Sequence, residues 1–220
     1  MTPTVLFDFD GTLVRGDSFA AFLKLLLRDR PLRALPAVLG LPLLPPAFAW
    51  WPTARLAAAG YLWLATVGRA ADELEAHRHR FLAQCGERRR QLLIVPAIER
   101  LRHHLDAGHR VAIVTGAEQR LARQLWSALD GPEVPVWVGS RLRPGFGGWL
   151  PERHCFGPRK LDALAEAGIV PPFSVVYTDS VRDLPLLRHA QHRVLVAPTA
   201  ATVRRVRRVC GDVEVIAPID

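Results

Sequence analysis

Two aspartates one residue apart, Asp8 and Asp10, close the apolar run Val5, Leu6, Phe7 and are followed by Gly11 and Thr12. In a strand, residues i and i+2 point to one face. Like charges that close raise each other's pKa, and burial raises both further. A chain keeps such a pair when a cation sits against it or when the pair does chemistry. Further along, other short apolar runs end in groups of the same kind. Residues 110–115 end in Thr115 and Gly116, and residues 173–178 are followed by Asp179 and Asp183. Lys160, one of only two lysines in the chain, opens the helical pattern before that last run. Carboxylates can hold Mg²⁺, a hard cation that prefers oxygen. A lysine, a hydroxyl and amides at a helix start can hold a phosphate. An aspartate can then attack phosphorus while cations stabilise the transferred group.

These groups meet only if the chain brings its strand ends together. Strand-like runs at 4–9, 110–115, 134–138, 173–178 and 193–197 alternate with helical patterns at 96–108, 118–131 and 159–168. That alternation predicts an α/β fold, a parallel sheet with helices on both faces. In such sheets ligands sit at the carboxyl ends of the strands. Residues 141–150, with glycines around Phe146, predict a small β-hairpin.

The motifs DFDGTLV, VTG, the lone lysine and TDSVRDLP resemble the four motifs of the haloacid-dehalogenase superfamily, in that family's order from residue 5 to residue 185. The resemblance implies a Rossmann-like core with a cap inserted after the first strand. It implies Asp8 as nucleophile, forming an aspartyl-phosphate. Asp10 would be the acid that protonates the leaving oxygen and then the base that activates water. Thr115, Gly116 and Lys160 would hold the phosphoryl group. Asp8, Asp179, Asp183 and the Asp10 carbonyl would hold Mg²⁺, with Asp183 alternatively orienting Lys160. Asp17 is a weaker substrate-side candidate. An acid two residues after the nucleophile marks the phosphatase members.

The core is expected from residues 1–13 and 93–220, with 14–92 as the cap. Within the cap, residues 34–54 and 56–68 are uncharged apart from the Arg55 between them. A run near 20 apolar residues is a membrane-span candidate. Trp50, Trp51, Tyr61 and Trp63 suit an interfacial belt, and Arg28, Arg30, Arg33 and Arg69 suit headgroup phosphates. Asp8 lies before this insertion and the other site residues after it, so the segment crosses a membrane twice or not at all. Its prolines and the shortness of its second stretch favour a helical hairpin that dips into one leaflet or lies on it, the alternative being a cap whose apolar face covers the active site. In carrying an insertion between the first two motifs, the chain resembles the subfamily that includes phosphoserine phosphatase. Segments around it resemble the phosphatidylglycerophosphatase C family of bacterial enzymes. That resemblance implies a phospholipid phosphate as substrate, an anionic membrane surface as partner, and the cytoplasmic face of a bacterial inner membrane as location. A soluble phosphatase for a small metabolite such as phosphoserine, located in the cytoplasm, is the alternative.

Composition bounds the rest. The chain has 220 residues, about half apolar, with a formal net charge of +8. The basic balance points to phosphates of some kind. Cys85, Cys155 and Cys210 are scattered without a CxxC, which speaks against a disulfide framework or a zinc site. No signal peptide is expected, because Asp8 and Asp10 fall where its apolar core would lie. His77, His79, His103 and His104 lie on polar helical patterns and are expected to be solvated. Residues 202–211 form a basic amphipathic pattern that suits anionic lipid, but no nucleic-acid recognition motif accompanies it, so no nucleic acid is expected. No obligate protein partner is evident.

Overall fold

The structure is a computed structural model and describes residues 2–30 and 51–216. The uncharged run from 34 to 50, with Trp50 and Arg33, lies outside the described residues. A seven-stranded sheet has the order β4-β3-β2-β1-β5-β6-β7. Its strands are β1 (Thr4–Phe7), β2 (Arg110–Glu118), β3 (Val136–Gly145), β4 (Gly148–Arg153), β5 (Phe173–Thr178), β6 (Ala190–Val196) and β7 (Glu214–Ile216). All neighbours pair in parallel except β3 and β4, which form the hairpin. The α/β fold expected from the alternation is therefore the fold observed.

Strand periodicity explains the two cores. Val5, Phe7, Val111 and Ile113 face one side, against α5 (Val95–Asp106) and α6 (Gln119–Ala128). Leu6, Ala112, Val114 and Val176 face the other. There they meet Leu164 of α7 (Arg159–Glu166), Leu187 of α8 (Leu184–Leu187) and Val206 of α9 (Ala200–Cys210). Residues alternating to two apolar faces give a sheet covered by helices on both.

Between β1 and α5 the chain forms α1 (Ser18–Asp29), α2 (Trp51–Thr66), α3 (Ala71–Glu87) and α4 (Arg89–Leu92). Phe22, Leu26, Ala65, Leu74 and Phe81 make a third core among them, which reaches Leu121 of α6. Arg69, expected at lipid headgroups, is instead buried in this seam. Its Nη1 contacts Asp29 Oδ2 at 3.0 Å and also Glu73, and its Nε and Nη2 donate to Ala65 O and Leu26 O. One guanidinium thus satisfies carbonyls near the ends of α1 and α2, where a cation is favoured. Arg30 pairs with the same Glu73 at 2.9 Å. His77 is likewise buried, not solvated. Its Nδ1 lies 2.7 Å from Glu73 O and its Nε2 3.1 Å from Asp29 Oδ2. Asp29, Glu73 and His77 could in principle approach a metal, but Arg69 and Arg30 already neutralise their charge.

The inserted helices are tied to the core on more than one flank, two of which differ in the kind of bond. Trp63 Nε1 donates to Phe146 O at 3.0 Å, Gly68 N to Gly147 O at 2.7 Å, and Trp149 N to Thr66 Oγ1 at 2.8 Å. Trp63 therefore seals a protein seam, where the sequence suggested a membrane belt. On the other flank Arg78 bonds Glu118 and Arg120 bonds Glu75. Among the described residues no helix is long and apolar enough to cross a membrane.

His104 is buried too, with Nε2 2.9 Å from Tyr177 Oη and Nδ1 2.8 Å from His109 Nδ1. Burial, helped by the charges of His109, His103 and Arg100, pushes its pKa down to about 4. Its unfolded value is near 6.5. The unfolded chain therefore binds the extra proton first as pH falls. The stability contributed by neutral His104 is full above about pH 6.5 and is lost as pH falls toward 4. Melting temperatures of the wild type and His104→Gln, measured from pH 8 to pH 4, should show the steeper acid decline in the wild type. Parallel curves would remove His104 as the titrating group.

Candidate active site

Asp8 follows β1 directly, and its amide still bonds the neighbouring strand at Tyr177 O, 2.9 Å away. The chain then turns tightly, with the amides of Thr12, Leu13 and Val14 all donating to Phe9 O. This turn frees both carboxylates from the sheet. Asp8 Oδ1 accepts from Lys160 Nζ and from its neighbour's amide, Phe9 N, each at 2.9 Å. Lys160 Nζ also lies 2.8 Å from Asp183 Oδ1 and 2.9 Å from Oδ2. Thr178 Oγ1 donates to Asp183 Oδ2 at 2.8 Å. Lys160, Thr178 and Asp183 are all buried.

The electrostatics follow from burial. Burial alone would depress the Lys160 ammonium, but Asp183 and Asp8 outweigh it and hold its pKa above the ordinary value. Burial pushes Asp8 well up, Lys160 pulls it back, and Asp183 and Asp179 add to the rise. Asp179 is raised by burial and by Asp183. Asp10 has a separate environment. Its Oδ1 accepts from the Ser18 amide at 2.9 Å, at the first turn of α1. That bond favours the charged form, yet burial dominates and pushes Asp10 up to about 7. Two carboxylates two residues apart are thus held differently, one clamped by an ammonium and one close to sharing a proton at neutral pH.

Thr115 and Gly116 lie on β2, just past the last register pair of β1, Phe7 with Ile113. Thr115 Oγ1 accepts from Ala117 N at 3.0 Å, which leaves its own hydrogen to donate. Gly116 is in close contact with the Phe156 ring, 3.1 Å from where a Cβ would stand. All the strand-end residues singled out by sequence share the carboxyl edge of the sheet. Direct bonds join Asp8, Lys160 and Asp183, whereas Asp10 and Asp179 join through electrostatics. Asp17 caps α1, its Oδ1 accepting from Ala20 N at 2.8 Å. The sequence reading missed Ser18 and Thr178, the groups that hold Asp10 and Asp183. It also missed Arg182, whose guanidinium lies 5.0 Å over the Phe156 ring. The short Asp17-Ser18 cap signal and the Thr178-Asp179 adjacency were the only hints.

Asp8, Asp179 and Asp183 supply oxygen donors of the kind a hard divalent cation takes, but among the described residues they do not form a trio whose ligand atoms all lie within 4.8 Å of one another, as Asp29, Glu73 and His77 do. Asp8, Asp179 and Asp183 face a single ammonium, so negative charge is in excess. Gly11, at φ +76°, gives Asp179 its room, because a Cβ there would come within 2.6 Å of Asp179 Cγ.

A family model for haloacid dehalogenase-like hydrolases matches residues 5–188, and the chain belongs to that family. The chain is similar in structure to a protein of unknown function from Bordetella pertussis Tohama I, with 25% identity and a TM-score of 0.77 over 98% of this chain and 99% of that one. It is also similar to a substrate-bound phosphoserine phosphatase, with 14% identity and a TM-score of 0.60 over 98% and 93% of the two chains. A phosphoserine phosphohydrolase-like protein from Francisella tularensis subsp. tularensis SCHU S4 gives 17% identity and a TM-score of 0.62 over 98% and 95%. The last two likenesses concern the fold.

Proposed function

We propose that the protein is a Mg²⁺-dependent phosphomonoester hydrolase that works through an aspartyl-phosphate on Asp8. The observation that carries this reading is that the two carboxylates are held by different partners, Asp8 Oδ1 by the Lys160 ammonium at 2.9 Å and Asp10 Oδ1 by the Ser18 amide at 2.9 Å. Pairs of titratable groups set apart by environment take opposite roles. Lys160 and the Phe9 amide hold Asp8 Oδ1. The other oxygen attacks phosphorus as the ester P–O bond breaks. Asp10 gives its proton to the leaving oxygen. It then takes a proton from the water that attacks phosphorus, which releases phosphate and restores Asp8. Lys160, the Thr115 hydroxyl and the Gly116 amide orient the phosphoryl oxygens. Asp8, Asp179, Asp183 and the Asp10 carbonyl would hold Mg²⁺, which supplies charge neutralisation at the transferred group when bound. Asp183 also positions Lys160. The division into a core, 1–13 with 93–220, and a cap, 14–92, belongs to this reading.

Asp10→Asn tests the acid role. Hydrolysis of an alkyl phosphate should fall at least about a hundredfold, because a poor leaving group needs the proton. An activated aryl phosphate should suffer less in the phosphorylation step. Equal losses on both would remove Asp10 from that role.

For the substrate we propose phosphatidylglycerophosphate, taken at an anionic membrane surface on the cytoplasmic face of a bacterial inner membrane. The support is the uncharged sequence from 34 to 54 and the segments that resemble phosphatidylglycerophosphatase C. A specific observation favours a second reading, a soluble substrate such as phosphoserine in the cytoplasm. Trp63 and Arg69, two residues that suited lipid, are occupied inside the protein. Rates on phosphatidylglycerophosphate in detergent micelles and on phosphoserine, both with Mg²⁺, decide between them. The lipid reading fails if phosphoserine has the higher kcat/KM.

A further inference from the structure

We propose that the tip of the β3–β4 hairpin is a contact site for an anionic phospholipid bilayer, with Phe146 as the inserting side chain and Arg141 and Arg143 as its headgroup partners. The turn between the strands is Phe146-Gly147, with φ +50° and +74°. A two-residue turn with both φ values positive belongs to Asn-Gly or Gly-Gly, because a larger side chain is strained there. Turn chemistry therefore gives no reason for phenylalanine. Burial gives none either, since Phe146 is 86% exposed, the most exposed large hydrophobic residue among those described. A residue that neither turn chemistry nor burial explains points to a contact outside the chain.

The tip is also held still. Phe146 O and Gly147 O accept from Trp63 Nε1 and Gly68 N, and Gly148 sits so close to α2 that a Cβ would stand 3.0 Å from the Trp63 ring. The aromatic ring is thus presented on a fixed support and does not collapse onto its neighbours. Arg141 and Arg143, two apart on one face of β3, are both exposed, and neither forms an ion pair among the described residues. The Arg143 guanidinium lies along the strand toward Gly145, next to the tip. An exposed aromatic ring with guanidinium groups behind it matches the boundary between acyl chains and anionic headgroups.

Position supports the same partner. Ser140 bonds Gly116 O at 2.7 Å, so β3 passes the candidate active site at this level. At about 3.3 Å per residue the tip then projects on the order of 20 Å beyond it. A bilayer touched by Phe146 therefore lies on the side of the sheet from which substrate enters. The inference rests on the membrane-surface part of the proposed function and not on the phosphatase chemistry.

The test is co-sedimentation with vesicles of mixed phosphatidylglycerol and phosphatidylethanolamine, and with vesicles of phosphatidylcholine alone. The wild type should bind the anionic vesicles, more weakly as salt rises. Phe146→Ser should lower the partition coefficient at least about tenfold, or about 1.4 kcal/mol. Arg143→Gln should weaken binding to the anionic vesicles and remove part of its salt dependence. Phe146→Asn, the side chain this turn prefers, should raise the melting temperature or leave it unchanged while reducing binding as serine does. Hydrolysis of a small soluble phosphate should stay within about twofold in all three variants. The inference is overturned if the wild type ignores anionic vesicles, or if Phe146→Asn destabilises the fold and leaves binding intact. A soluble phosphate still hydrolysed in that event leaves the phosphatase reading standing. Loss of soluble-phosphate hydrolysis in the wild type would overturn the phosphatase reading, whatever the vesicles show.

Discussion

Asp8→Asn should lower kcat by at least about ten-thousand-fold, which is about 5.4 kcal/mol of transition-state stabilisation. The amide nitrogen cannot attack phosphorus, and Asp183, the carboxylate that shares Lys160 with Asp8, is itself held by Lys160 and Thr178. The fold should survive. Asp8 is pushed upward by burial and by Asp183 and Asp179, so the neutral amide relieves repulsion. A melting temperature equal to or above that of the wild type, with no phosphate release above background, is the expected pair of results. Near-native turnover would take the nucleophile role from Asp8.

Lys160 should show a large effect of a different shape. Its ammonium is the only cation bonded to both Asp8 and Asp183 among the described residues. Removing one partner of a buried charge cluster leaves uncompensated charge and costs about 3–5 kcal/mol. Lys160→Met should therefore lose both stability and activity, with kcat/KM down at least about a thousandfold. Adding Asp183→Asn to that variant should recover part of the melting temperature but not the activity. Lys160→Arg keeps the charge in a larger, planar, forked group. It should still lose at least about tenfold in kcat/KM. A fully active arginine variant would mean that the ammonium does not touch the reacting group. Calorimetry with steady-state kinetics on a soluble phosphate separates the two losses.

These residues were legible in sequence for a physical reason. Asp8, Asp10, Thr115, Asp179 and Asp183 follow short apolar runs, and a parallel sheet gathers everything that follows its strands on one edge. Lys160 was visible because lysine is so rare here. What the sequence hid was pairing at a distance. His77 and His104 lie on polar-looking helices, and periodicity does not reveal that Asp29 or Tyr177 waits on the other side. Arg69 has Glu73 four residues on, but what buries it, Asp29 and the Leu26 carbonyl, lies 40 and 43 residues away in another helix. Trp63 finds its acceptor, Phe146 O, across 83 residues. The strand β7 is only three residues long, with too short a pattern to register. The hairpin was visible, but not that β3 runs unbroken from the sheet into it.

Two flanks tie the inserted helices to the core with bonds of different kinds, and these bonds respond differently to salt. On the hairpin flank the bonds come from backbone amides, a hydroxyl and an indole, with glycine-tight packing. On the α6 flank they come from Arg78 with Glu118 and Arg120 with Glu75. Salt reaches Arg120 and Glu75, which are partly exposed, and hardly reaches Arg78 and Glu118, which are nearly buried. Leu121 of α6, packed among Phe22, Leu26 and Phe81, closes the same flank with apolar contacts that salt does not weaken. The inserted helices are therefore clamped on both flanks. Raising ionic strength should loosen neither, and kcat on a soluble phosphate should not follow it.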